Sequence, residues 1–207
     1  MKEKKRCFWP GNDPLMIEYH DNEWGNPVHN DRKHYEFLLL DGFQAGLSWQ
    51  TILRKRKNFK KAFDNFDYKK IAKYDKKKTD ALLQDEGIIR NKLKVHAAVT
   101  NAQKLMEVQK EFGSFDKYIW QFTGGKTIHH KHRSAKDFQA TSPESDAMSK
   151  DLKKRGFKFV GSTICYAYMQ AAGMVNDHMV DCFRYKEVKK LSHRDAYGKS
   201  LKSKVQR

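Results

Sequence analysis

Cys7, His20, His178 and Cys182 carry the side chains of metal ligands and lie near the two ends of the chain. Cys7 and His20 flank the first helical pattern, and His178 and Cys182 share one face if Asn176-Asp177 caps a short helix. Each pair is a potential bidentate clamp. Zinc favours tetrahedral thiolate and imidazole ligation, and four protein ligands leave no position for an activated water, so such a centre would be structural. Each pair alone reads equally well as a buried thiol near a hydrogen-bonded core histidine. His129, His130 and His132 form a second group that lacks a fourth ligand and reads as surface. The three cysteines cannot all pair, which argues against a disulfide framework and leaves Cys165 as an inert core thiol.

A second chemistry resides in the opening third, which is dense in large aromatics, Phe8, Trp9, Tyr19, Trp24, Tyr35, Phe37, Phe43 and Trp49, with the carboxylate of Asp41 following the apolar run Phe37 to Leu40. Most of these rings must be core. Three of the four tryptophans nevertheless fall within the first 49 residues. A flat, electron-rich slot attracts a planar cationic nucleobase by stacking and cation–π contact, and a carboxylate there reads the base edge. Just beyond, Gly46 ends one helix and Ser48 caps the next, so Leu47 projects outward.

A third pattern, Asp80 to Lys94, reads as helix, tight turn at Gly87, and helix. Turn amides and a helix N-terminus can hold a phosphate without reading sequence, and Arg90, Lys92 and Lys94 add charge. Any helix pair needs a turn, so composition weighs in: 42 Lys and Arg against 25 Asp and Glu give a formal charge of +17. A polyanion is the natural partner, nucleic acid ahead of an anionic membrane surface. Lysine-rich stretches such as Arg54 to Lys61 read alone as solvated faces.

The elements that position these residues are predicted to be helices. Asp13-Pro14 and Ser142-Pro143 pair an N-cap with proline at the first helical position. Apolar residues recur at helical spacing in Tyr35 to Phe43, Trp49 to Phe63, Ala81 to Leu83 and Leu93 to Met106. Gly113 to Gln139 reads as a loop holding one short helical face, broken at Gly124-Gly125, and the uncharged run Val160 to Val175 reads as a buried core helix. The fold class is all-α. Residues 1–185 are expected to form a single unit of two packed helical lobes, followed by a basic, mobile tail over 186–207. No apolar run approaches the roughly 20 residues of a spanning helix, and no signal-peptide core follows the basic start, so a soluble, cytoplasmic, monomeric protein is expected.

With these residues assembled, the chain resembles the 3-methyladenine DNA glycosylase I family of the helix-hairpin-helix superfamily. The resemblance runs from about Cys7 to Cys182. It rests on Tyr19-His-Asp-Asn-Glu-Trp-Gly25, Gln44-Ala-Gly-Leu-Ser-Trp49, Gly87-Ile-Ile-Arg90, Leu152 to Tyr166, and Asn176-Asp-His178. It implies a helix-hairpin-helix glycosylase fold whose terminal segments are stapled by a structural zinc on Cys7, His20, His178 and Cys182. It also implies a base pocket in which Trp49 and Tyr19 sandwich the flipped purine with Trp9 nearby, Leu47 filling the gap left in the duplex, and a phosphate-binding hairpin at Gly87, Ile88, Arg90 and Lys92. The family's base-recognition glutamate is replaced by Asp41, one methylene shorter, and Met16 stands where an aromatic is expected.

The activity so implied is hydrolysis of the N-glycosidic bond of 3-methyladenine in alkylated double-stranded DNA. The lesion base is cationic and already a good leaving group, so Asp41 acts electrostatically and no general base is assigned. No lysine is marked as a nucleophile, and an iron–sulfur variant needs a fourth cysteine. A noncatalytic DNA-binding module would leave the aromatic pocket idle. A zinc-stapled RNA-binding protein would prefer unstacked RNA to lesion-bearing duplex.

Overall fold

Side-chain caps start most of the helices. Asp13 accepts hydrogen bonds from the Leu15 and Met16 amides at 2.9 and 3.1 Å and opens α1 (Pro14–Asn22). Asn30 caps α2 (Asp31–Gln44), and Ser48 caps α3 (Trp49–Ala62). After the short α4 (Tyr68–Ile71), Asp75 caps α5 (Lys76–Gln84) and Asn91 caps α6 (Lys92–Phe112), which Gly113 ends in the left-handed conformation. Next come α7 (Phe115–Trp120), the two-residue strand β1 (Ile128–His129), and α8 (Pro143–Lys154), opened by reciprocal Ser142–Ser145 hydrogen bonds. The chain continues through α9 (Ser162–Ala171), β2 (Val175–Asn176) and α10 over 183–192. The computed structural model describes residues 4–192.

Helix α2 is the centre of the assembly. It contacts α3, α6, α7 and α9, and both its flanks are buried, from Tyr35 through Phe43, as befits a helix enclosed on all sides. One cluster of buried apolar residues runs from Cys7 to Cys182. The Cys165 thiol sits in it, donates to the Val160 carbonyl at 3.5 Å, and is pushed up to about 12 by burial. It is inert, as expected.

Four expectations need correction. His178 to Cys182 is a turn, not a helix, closed by the Cys182 amide donating to the Met179 carbonyl. A short parallel ladder, Ile128 opposite Val175 and His129 opposite Asn176, interrupts the helical fold. His132 is buried rather than on the surface. Residues 183–192 continue as helix α10 with Val188 fully buried. A buried valine contributes about 1.5 kcal/mol or more, so 186–192 belong to the folded unit. The remainder of the expected tail, 193–207, lies outside the described residues.

Candidate active site

Helix α1, the C-terminal half of α2 and the first turn of α3 enclose a cavity of about 210 Å³. Its lining includes Trp9, Tyr19 and Trp49, the rings expected there, with Asp41 on α2 and Met16 in the place of an aromatic. Asp41 is 2 % exposed. Its Oδ2, together with Trp9 Nε1 and Trp49 Nε1, is buried without a hydrogen-bond partner. One acceptor and two donors left unsatisfied around a single cavity make it a polar site awaiting a hydrogen-bonding ligand, because orphaned groups are costly unless a ligand completes them. Burial pushes the Asp41 carboxyl well above its ordinary range, against the opposing pull of Arg56. A cation entering the cavity would reverse that shift.

The two rings expected to sandwich the base, Tyr19 and Trp49, meet at an angle in this structure. The Tyr19 and Trp49 ring centroids are 5.3 Å apart at an interplanar angle of 50°, whereas a base between two parallel rings needs roughly 7 Å, two contacts of about 3.5 Å. The two rings instead form a corner, against which a planar ligand can lie on one side only. Four lining residues were not anticipated: Gln44, one turn beyond Asp41, and Phe138, Ala167 and Gln170, from distant segments. Gln170, the lone amide in an uncharged helix, was a usable signal; Phe138 offered none.

Beside this cavity, Cys7, His20, His178 and Cys182 converge, all buried, with their ligand atoms within 4.8 Å of one another. His178 Nδ1 lies 3.6 Å from Cys7 Sγ and 3.7 Å from Cys182 Sγ, and His20 Nε2 lies 3.5 Å from Cys182 Sγ. Tetrahedral bonds of about 2.3 Å to sulfur and 2.0 Å to nitrogen place the two atoms roughly 3.5 Å apart. The outer nitrogens are also committed: His20 Nδ1 meets Asp21 Oδ1 at 2.8 Å, and His178 Nε2 donates to the Trp24 carbonyl at 3.1 Å. Such partners orient ligating imidazoles. Gly25 adopts φ +82°, and a Cβ there would come within 3.1 Å of His178 Nε2, so glycine lets the chain pass this ring. The cluster touches the cavity wall, since the Trp9 ring is 5.3 Å from His20 and Trp24 4.7 Å from His178.

The loop between α2 and α3 holds Gly46 at φ +77° and leaves Leu47 exposed, as expected. The buried Lys94 ammonium clamps that loop, donating to the Phe43 and Ala45 carbonyls at 2.9 and 2.6 Å. Sequence reading had Lys94 only add charge to the phosphate-holding hairpin. The α5–α6 hairpin forms at Gly87, but its details differ. The Ile88 side chain is 3 % exposed and serves the core, and the Gly87 amide donates to Asp85 Oδ1 at 2.8 Å. What the hairpin presents outward is charge: Lys92 is exposed, and Arg90 reaches Glu86 at 3.5 Å with half its side chain open to solvent.

Comparison with known proteins agrees with this geometry. Residues 9–185 match the Methyladenine glycosylase family. The chain is 44% identical over 181 residues to DNA-3-methyladenine glycosylase 1 of Escherichia coli (strain K12), covering 87% of this chain and 97% of that protein. A crystal structure of 3-methyladenine DNA glycosylase I superposes with a TM-score of 0.84 at 46% identity, covering 86% of this chain and 98% of the other. A tyrosine-to-phenylalanine variant of 3-methyladenine DNA glycosylase I in complex with 3-methyladenine superposes with the same TM-score, 0.84, at 32% identity over 86% of this chain and 96% of the other.

Proposed function

The chain belongs to the methyladenine glycosylase family, and from that premise we propose the function that its cavity fits: it is a DNA glycosylase that hydrolyses the N-glycosidic bond of 3-methyladenine and leaves an abasic site. The observation that carries this reading is the unsatisfied Asp41 carboxyl in a cavity walled by tryptophans and tyrosine. In duplex DNA the target base must first leave the stack. Leu47, exposed on its clamped loop, fills the vacated space, and the exposed cations Arg90 and Lys92 hold the backbone. The flipped purine lies against the Tyr19–Trp49 corner with Trp9 nearby. Asp41, giving up its proton to solvent as the cation arrives, holds the charged purine in place; as the N-glycosidic bond breaks, its electron pair stays with the purine and the positive charge passes to the sugar. Water then adds to the oxocarbenium-like sugar and releases a proton to solvent.

Asp41 is one methylene shorter than a glutamate, and Gln44 sits one turn further along the same wall. The two together read the base edge, directly or through one water. The reaction is monofunctional: among the described residues Lys94 is the one buried lysine, and its ammonium is committed to two carbonyls and is not a free amine.

The Cys7, His20, His178 and Cys182 set holds a structural zinc. A closed two-thiolate, two-imidazole set supplies no catalytic water. It joins the N-terminal segment to the turn before α10, where the Phe183 amide also donates to the Lys5 carbonyl at 2.9 Å. The enzyme works as a monomer on double-stranded DNA in the cytoplasm; among the described residues no helix is long and apolar enough to cross a membrane.

Incubating the protein with methylated duplex DNA and measuring released bases tests the function. Release of 3-methyladenine well above the spontaneous rate is expected, and release at the spontaneous rate would leave only a DNA-binding module.

A further inference from the structure

We propose that His130, His132 and Asp177 form a second metal site, separate from the Cys/His cluster, that takes a divalent transition-metal ion such as zinc, cobalt or nickel. Their three ligand atoms lie within 4.8 Å of one another. Two imidazoles and one carboxylate suit these ions better than the hard cations magnesium and calcium, which prefer all-oxygen shells. Three protein ligands leave coordination positions open, and the half-buried His130 provides the route from solvent.

The site is built before any ion arrives. The parallel ladder pairs His129 with Asn176, the His130 amide donates to the Asn176 carbonyl at 3.2 Å, and the Val180 amide donates to the His132 carbonyl at 2.9 Å. His130 and His132 alternate on an extended segment and so face the same side. Asp177 is buried, and its Oδ2 accepts from Tyr166 Oη at 2.8 Å and Gln170 Nε2 at 2.7 Å, which turns Oδ1 towards the imidazoles. Asp177 Oδ1 lies 2.5 Å from His130 Nδ1 and 3.1 Å from His132 Nε2. The His132 ring stacks on Phe138 at 4.6 Å, which limits its rotation.

A simple ion pair explains only part of this arrangement. Asp177 Oδ1 lies within ion-pair distance of both imidazoles, but only His130 hydrogen-bonds to it; His132 Nε2, 3.1 Å away, is buried without a hydrogen bond. A metal ion gives all three atoms one shared partner. On binding, the proton between His130 Nδ1 and Asp177 Oδ1 passes to solvent, and both atoms coordinate through their lone pairs. Gln170 and Phe138 also line the base cavity, so the ion would brace that wall.

Titrating the full-length, zinc-loaded protein with cobalt(II), followed by calorimetry and visible absorption, tests the site. One further equivalent should bind with weak ligand-field bands and no thiolate-to-cobalt charge transfer, because no sulfur is present. A charge-transfer band would report exchange into the Cys/His cluster, so the two sites are read separately. His130→Asn and His132→Asn should each weaken this binding by at least roughly tenfold. His130 is half-buried, so its variant keeps the fold even if that of His132 does not. No saturable cobalt binding beyond the charge-transfer species, or binding unchanged in His130→Asn, overturns the proposal.

Discussion

Asp41 sets the balance between stability and activity at the level of one side chain. Its folded-state pKa is raised by burial, so its contribution to stability is fully present below the free aspartate value of about 3.9 and is lost as pH rises through the folded value. Between that free value and the raised folded value, the fold keeps a carboxyl that the unfolded chain ionises. Asp41→Asn removes this cost, because an amide is neutral in both states. The variant should melt higher than the parent at neutral pH, by about 2–4 °C for each kcal/mol released, with the gain shrinking towards about pH 4. The same change should slow single-turnover release of 3-methyladenine by roughly 10²–10³-fold, the usual loss for one preorganised electrostatic contact. Melting curves across pH and excision kinetics on one preparation measure both. A lower melting point with undiminished excision would show Asp41 to be an ordinary buried acid. Because the parent must ionise Asp41 to hold the cation, its excision should also weaken as pH falls, and the variant's should not.

Among the elements, the junction of α2, the Leu47 loop and α6 couples the hairpin to the pocket. Lys94 stands in the first turn of α6 and caps the carbonyls at the end of α2 with two charged hydrogen bonds. Lys94→Met keeps the apolar stem and removes both, which should cost about 1.5–3 kcal/mol and loosen the loop that carries Leu47. Excision from duplex DNA should then fall while calorimetric binding of free 3-methyladenine, which needs no flipping, stays near the parent value; equal losses in both would place the effect in the pocket instead. Much of this level was legible in the sequence. Asp13-Pro14, Ser48 and Ser142-Pro143 act through neighbours within three residues, and local hydrogen bonds leave local signatures. The burial of His132, the β1–β2 ladder and the seating of Phe138 and Gln170 in the cavity depend on segments far apart in the chain, which no spacing records. The aromatic set with Asp41 was read correctly as a group, yet the Tyr19–Trp49 corner depends on ring angles that only packing decides.

For the whole molecule, the Cys/His cluster decides whether the chain's ends and the pocket behave as one body. Cys7 and His20 come from the start of the chain, and His178 and Cys182 from the turn before α10. The rings packed on these ligands, Trp9 and Trp24, also line the cavity. Losing the proposed zinc should therefore reach the base site without touching Asp41. Most of the single buried apolar cluster, from Tyr35 to Ala171, lies between the start of α2 and the end of α9, so removal should open the terminal segments rather than unfold the molecule. Cys182→Ser makes the case more cleanly than a chelator, because it leaves the His130, His132 and Asp177 group intact. The variant should lose one equivalent of zinc by elemental analysis and keep most of its helical circular dichroism. It should also melt several degrees lower, each kcal/mol lost counting for about 2–4 °C, and bind free 3-methyladenine more weakly. If Cys182→Ser carries as much zinc as the parent, the ligand assignment is wrong. If it loses the metal but binds the base unchanged, the staple holds the termini without shaping the pocket, and Trp9 and Trp24 keep their places by core packing alone.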